Sequence, residues 1–243
     1  MRAAAAGDDR RLRGSVARFI DELKRTHRCG ELRAGDIGRE VVLFGWVQYY
    51  RDFGGLRFID LRDREGITQV VFDPDVSADA HALANEMRHE YVVGVRGTVR
   101  DRGMQYSKKK NEMVSAHNPN LPTGAIEVLV KEAVIFNRSE TPPFEVEDET
   151  ATSEEKRLQY RYIDLRRPKL QRVFRTRHIM NQCVRRYFTD QGFYELETPV
   201  LVKYTPGGAR NFLVPSRLHT GKFYALAESP QLFKQLYMVA GFD

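Results

Sequence analysis

Residues 41–72 read Val41-Val-Leu-Phe-Gly45-Trp46-Val47-Gln-Tyr-Tyr-Arg51-Asp-Phe53-Gly-Gly55-Leu56-Arg-Phe58-Ile-Asp-Leu61-Arg-Asp63-Arg-Glu-Gly66-Ile-Thr68-Gln69-Val-Val-Phe72, and this stretch decides the fold of the N-terminal half. Apolar and β-branched residues gather in three short runs, Val41–Val47, Leu56–Leu61 and Thr68–Phe72, with the period of strands. Arg51–Gly55 turns the first pair and Asp63–Gly66 the second, glycine supplying the positive backbone angles that tight hairpins need. Downstream, Ser77–His89 places Ala80, Leu83, Ala84 and Met87 at helical spacing, and two more strands follow at Tyr91–Val99 and Ala125–Val130. Three strands, a helix and two strands predict a five-stranded barrel of the OB type, whose strand faces bind oligonucleotides. An SH3-like barrel would not need that helix. Between the last two strands, Asp101–Gly124 shows no periodicity and reads as a long loop with Lys108, Lys109 and Lys110 within it.

Working outward, residues 1–28 read as a basic extension, with Val16, Phe19, Ile20 and Leu23 on one face of a short helix at Ser15–Arg25. The barrel domain is expected over 29–137. Residues 138–160, with Pro142-Pro143 and a run of acidic residues, read as a hinge linker. A second domain is expected from 161 to 243. Its first long helix starts at Pro168, carries Leu170, Val173, Phe174, Met180, Val184, Tyr187 and Phe188 as an apolar stripe, and closes at Gly192. Phe193–Val200 reads as a strand interrupted by Pro199, which cannot donate to a ladder and so belongs at an edge or interface.

The formal net charge of +6 is unevenly spread. Residues 1–28 and 101–124 carry the surplus, 138–160 is acidic, and 161–186 holds Lys and Arg against Asp164 alone. A basic stripe at one junction suits phosphate, although a solvated helix face would look the same. The two cysteines, Cys29 and Cys183, have no metal-ligand or disulfide spacing and read as reduced, half-buried thiols. No metal site is expected. No apolar run approaches the ~20 residues of a membrane helix, and the N-terminus lacks the apolar core of a secretory signal, so the cytoplasm is the expected compartment.

Certain side chains have chemistry that suits a ligand. On the barrel, Phe58 offers a flat face for base stacking, Gln69 can read a base edge, Arg51 can hold a phosphate or a guanine, and Glu127 can accept from an exocyclic amine. Phe58 reads equally well as core, and Trp46 reads as barrel packing. Ser229, Gln231 and Lys234, at i, i+2 and i+5, suit a loop entering a helix. They fit either a small zwitterionic ligand or a plain helix cap with a surface lysine.

Arg161-Tyr-Ile-Asp-Leu-Arg-Arg-Pro168, the helix after it and Gly192-Phe-x-Glu-x-x-Thr-Pro199 resemble the entry and first signature of class II aminoacyl-tRNA synthetases. Together with Gly45-Trp46-Val47, Arg51-Asp-x-Gly, Thr205-Pro-Gly-Gly-Ala-Arg-Asn211 and Glu228-Ser-Pro-Gln-Leu-Phe-Lys234, they look like the bacterial aspartyl branch, over about residues 26–243. The resemblance implies an OB-type anticodon-binding barrel followed by the start of an antiparallel class II catalytic domain. It implies an aspartate–tRNA ligase that activates L-aspartate with ATP and Mg2+ and transfers it to tRNA(Asp). Whether tRNA(Asn) is charged as well stays open.

By the same resemblance, Arg51, Phe58, Gln69 and Glu127 match anticodon-reading positions. Ser229, Gln231 and Lys234 fall in the aspartate pocket, and the long helix with Pro199 builds a homodimer interface. The family usually has Glu where Gly207 stands, and often Gln where Glu228 stands. Glu228 is therefore a candidate to replace the missing contact to the substrate's ammonium group. The arginines and acidic residues of the family's second and third motifs are not expected before Asp243. No catalytic residue is therefore assigned, and the chain as given is expected to bind tRNA without adenylating aspartate. The alternatives are a truncated, non-catalytic tRNA-binding paralogue, and a related synthetase for asparagine or lysine.

Overall fold

The structure, a computed structural model, describes residues 15–107, 111–204 and 210–242, and for 105–107 the backbone alone. The chain divides into two compact units, Met1–Gln171 and Arg172–Asp243.

The first unit is built on a closed barrel. Its strands are β1 (Glu40–Phe53), β2 (Leu56–Asp63), β3 (Gly66–Phe72), β4 (Val92–Asp101) and β7 (Ile126–Asn137), in the order β1-β2-β3-β7-β4. Helix α1 (Ala78–Ala84), capped by the Ser77 hydroxyl, joins β3 to β4. Closure leaves no bare sheet edge: β3 runs parallel to β7 with Val70 opposite Val128, and the other pairs are antiparallel. The inward residues Val41, Leu43, Val47, Ile59, Leu61, Val70, Val95 and Val128 fill the interior. Gly54 and Gly55 both adopt positive φ, +62° and +81°, as the expected β1–β2 turn requires.

β1 exceeds its expected end, pairing with β2 as far as Phe53 opposite Leu56. The loop expected at 101–124 contains a two-stranded hairpin, β5 (Met104–Ser107) and β6 (Glu112–Ser115). Among its described side chains, Met104 and Met113 stay exposed, so burial imposes no alternation that would announce it. Lys108, Lys109 and Lys110 lie outside the described residues.

Residues from Ser15 onward are packed on the barrel. Arg18–Leu23 forms a π-type turn whose Phe19 is buried against Phe44 and Phe136, both within 6.4 Å between ring centroids. Gly94 makes this slot: a Cβ there would meet Phe136 at 2.8 Å and Phe19 at 3.0 Å. The Thr26 amide donates to the Val42 carbonyl, and the Cys29 amide donates to Asp63. Cys29 is buried and Cys183 exposed, where both had been expected half-buried. Burial, with Asp63 beside it, pushes the Cys29 thiol well above its ordinary range.

The stretch read as a hinge carries a small core, Phe144, Val146 and Ile163. It includes α2 (Glu154–Gln159) and leads into α3 (Arg161–Asp164), which supplies Ile163. Asp164, fully buried, accepts from Arg161 at 2.5 Å and Arg167 at 2.9 Å, while Arg167 also donates to the carbonyls of Glu147 and Asp148. These arginines of the expected basic stripe are therefore tied to internal acceptors.

Helix α4 (Pro168–Asp190) begins and ends as expected. In the second unit, β8 (Leu201–Val202), β10 (Phe223–Leu226) and β9 (Leu213–Pro215) form a small antiparallel sheet in the order β8-β10-β9, before α5 (Gln231–Val239). Phe193–Val200 is not a strand: ladder pairing starts only at Leu201, opposite Leu226. The segment is instead held by Arg185, which grips Glu195 at 2.8–3.1 Å, and by the Tyr237 hydroxyl, which donates to the Glu197 carbonyl.

Candidate functional site

A bulge between Val47 and Tyr49 shapes one face of the barrel. Before it, Val41, Leu43 and Val47 point inward; after it, the parity flips, so that Tyr50 packs on the core and Arg51 points out beside Phe58. Bulges commonly re-aim a side chain in this way next to a site. Cross-strand pairing continues the outward row from Arg51 to Phe58, and from Asp60 to Gln69. The Gln69 amide reaches Glu127 on β7, at 3.4 Å, and Glu127 lies opposite Arg100 on β4. All four residues singled out on the barrel thus share one outer face. Phe58 is half-buried rather than core.

The face is a charge mosaic. Arg51 donates to Asp60 at 2.9 Å, and Arg100 donates to Glu127 at 2.8 Å. Glu127 is 6% exposed, and its burial pushes the carboxyl above the ordinary carboxylate range against the pull of Arg100. A buried, still ionisable acceptor beside an amide, a guanidinium and an aromatic face is the equipment for reading the edge of an unstacked base. Asp60, Arg100 and Arg102 complete the mosaic and were not singled out from sequence. The signal available for them was strand parity with Gln69 and Glu127.

In the second unit, Glu228, Ser229, Gln231 and Lys234 are exposed at the start of α5. The Ser229 hydroxyl accepts from the Gln231 amide at 3.3 Å, and Gln231 and Lys234 lie three residues apart, on one helical turn. Gly207 lies outside the described residues.

Known proteins sort the two halves separately. Residues 41–136 match the family of OB-fold nucleic acid binding domains, and residues 153–243 match the tRNA synthetases class II (D, K and N). An OB-fold domain is thus followed by the start of a class II tRNA synthetase domain. The chain is 65% identical over 228 residues to an aspartate–tRNA(Asp/Asn) ligase of Anaeromyxobacter dehalogenans (strain 2CP-C), covering 94% of this chain and 36% of that protein. It is also 58% identical to an aspartate–tRNA(Asp/Asn) ligase of Oleidesulfovibrio alaskensis, over 92% of this chain and 35% of that one. The chain therefore spans about a third of the length of these curated relatives. Among solved structures, it resembles asparaginyl-tRNA synthetase from Pyrococcus horikoshii complexed with asparaginyl-adenylate. The TM-score is 0.72 at 25% identity, over 91% of this chain and 46% of that one. A putative aspartyl-tRNA synthetase from Leishmania major Friedlin shares the fold, with a TM-score of 0.71 at 23% identity, over 91% of this chain and 42% of that one.

Trp46, expected to pack the barrel, sits outside its buried core and packs against arginines. It is half-buried, with the Arg166 guanidinium 4.7 Å and the Arg62 guanidinium 5.9 Å from its ring centroid. Both arginines converge on Glu90, Arg62 at 2.7 and 2.9 Å and Arg166 at 2.6 Å. Glu90 is itself buried and in the left-handed region at φ +63°. A non-glycine residue there is strained and persists only where its surroundings over-determine it. This cluster ties the barrel to the segment that leads into α4. No described helix is long and apolar enough to cross a membrane.

Proposed function

We propose that the chain is the tRNA-binding and substrate-entry portion of an aspartate–tRNA ligase, with the barrel over 29–137 as its anticodon reader. The observation that carries this is the shared outer face of Arg51, Phe58, Gln69 and Glu127, which joins a stacking surface to paired donors and acceptors. Splayed loop bases stack on such aromatics, and side-chain amides and carboxylates read their edges. The naming of the similar ligases supports tRNA(Asp), with tRNA(Asn) as a second partner. In the domain 161–243, Lys234 would pair with the side-chain carboxylate of L-aspartate, and Ser229, Gln231, Gly207 and Glu228 would surround its amino and carboxyl groups. The exposed apolar residues of α4, with Pro199, suit a second copy of the chain, in a homodimer working in the cytoplasm.

The reaction of such a ligase takes ATP and Mg2+, which let the amino acid's carboxylate attack the α-phosphate. Among the described residues, no three His, Cys, Asp or Glu side chains are grouped to hold a metal ion. What these residues do is select and position the substrates.

The test is fluorescence anisotropy with an aspartate-tRNA anticodon stem-loop at one fixed salt concentration. Phe58→Ala should weaken binding by about 1–3 kcal/mol, the worth of one stacked base. Equal binding to the native loop and to a loop of scrambled anticodon would overturn the proposal.

A further inference from the structure

The bulge of β1, the strained Glu90 and the buried Arg62 meet at a recess of about 30 Å3, between the barrel and the segment read as a hinge. Gln48 is the extra residue of the bulge: Val47 lies opposite Leu61 and Tyr49 opposite Asp60, with Gln48 skipped between them. A bulged residue escapes the alternation of the ladder, and this one lines the recess. Arg62 enters from β2 with its side chain 6% exposed. Its Nη2 is taken by Glu90, whose backbone amide in turn donates to the Val47 carbonyl at 2.8 Å. The hinge segment contributes Glu145, Val146 and Glu147 to the walls. Gln48 Oε1 and Arg62 Nη1 are both enclosed, and neither has a hydrogen-bond partner among the described residues. An enclosed acceptor and an enclosed donor, each unmet, cost stability separately. One molecule that donates and accepts removes both costs.

We infer that the recess is a binding site for one ordered water molecule, which donates to Gln48 Oε1, accepts from Arg62 Nη1 and is a fixed part of the contact between barrel and hinge segment. A water needs roughly 10–15 Å3 of such space and two to four polar partners. Ligand pockets for small organic molecules start near about 300 Å3, so the recess is far too small for an amino acid or a nucleotide. Charge decides against a halide ion. A chloride would meet Arg62 but leave the Gln48 oxygen unmet, and it would sit among three carboxylates, Glu90, Glu145 and Glu147. A water meets both unpartnered atoms and adds no charge.

The experiment compares magnetic relaxation dispersion of the water oxygen signal for the wild-type chain and for Gln48→Met, which keeps the side chain's length and removes the acceptor. The wild type should hold one long-lived water more than the variant. Equal dispersion from the two would overturn the inference. A crystal of the wild type grown in bromide, at a resolution that shows other buried waters, gives a second measurement that does not depend on the variant's folding. Solvent density within hydrogen-bond reach of Gln48 and Arg62, without anomalous signal, is the expected result. Anomalous signal at that point would make the recess an anion site. That outcome, a dry recess, or a Glu147 carboxylate turned inward to meet Arg62 would each overturn the inference.

Discussion

At the scale of single residues, Glu127 sets ligand reading against stability. Its folded pKa lies above the ordinary value, so its contribution to stability is greatest below that value and is lost as the pH rises through the folded pKa. Arg100, which donates to it, is partly exposed and can return to water if Glu127 is neutralised. Glu127→Gln should therefore melt close to wild type at about pH 4 and higher than wild type near pH 7, while losing RNA discrimination. Thermal melts across that window check it; a variant less stable at neutral pH would show that the Arg100 pair outweighs the desolvation. Glu127, Gln69, Arg51 and Phe58 were legible as residue types able to meet RNA. Their partners Asp60, Arg100 and Arg102 were not, because an arginine or aspartate in a strand reads as a solvated face until strand pairing places it beside a buried carboxylate.

At the scale of elements, the N-terminal turn shows how far a pattern carries. Val16, Phe19 and Leu23 were legible as one apolar face, whereas Ile20, expected with them, is turned out to solvent by the π-type turn; the slot that receives Phe19 was not legible, because Phe44, Gly94 and Phe136 come from three distant strands. Phe19→Ala should cost about 3–5 kcal/mol of stability, and Gly94→Ala should be destabilising through the same slot. Denaturant unfolding measures both; a cost below about 1 kcal/mol for Phe19→Ala would mean the turn packs only loosely. The barrel strands were legible because one face of each is buried, which enforces alternation. The 104–115 hairpin escaped for the converse reason, with Met104 and Met113 left largely exposed. Phe193–Val200 has the composition of a strand, yet joins no ladder. Composition reports what a segment tolerates, while pairing depends on a neighbour.

At the scale of the whole molecule, the two units differ in how they are filled. The barrel encloses a continuous core, whereas Ala225 is the one buried hydrophobic among the described residues of 172–243. Val173, Phe174, Met180, Val184, Tyr187 and Phe188 of α4 are exposed. Amide exchange should therefore be slow in β1–β4 and β7 at any concentration, and in α4 should slow as protein concentration rises and a second copy covers it. Exchange in α4 that ignores concentration would count against the homodimer. The Glu90 cluster bears on a different matter, the portability of the barrel. A graft cut after Asn137 would carry away Glu90, Arg62 and Trp46 but leave Arg166 behind, stripping a strained, buried carboxylate of one guanidinium and the indole of its cation. The piece that can be transplanted with its electrostatics whole therefore ends near Gln171, beyond the last strand of the barrel.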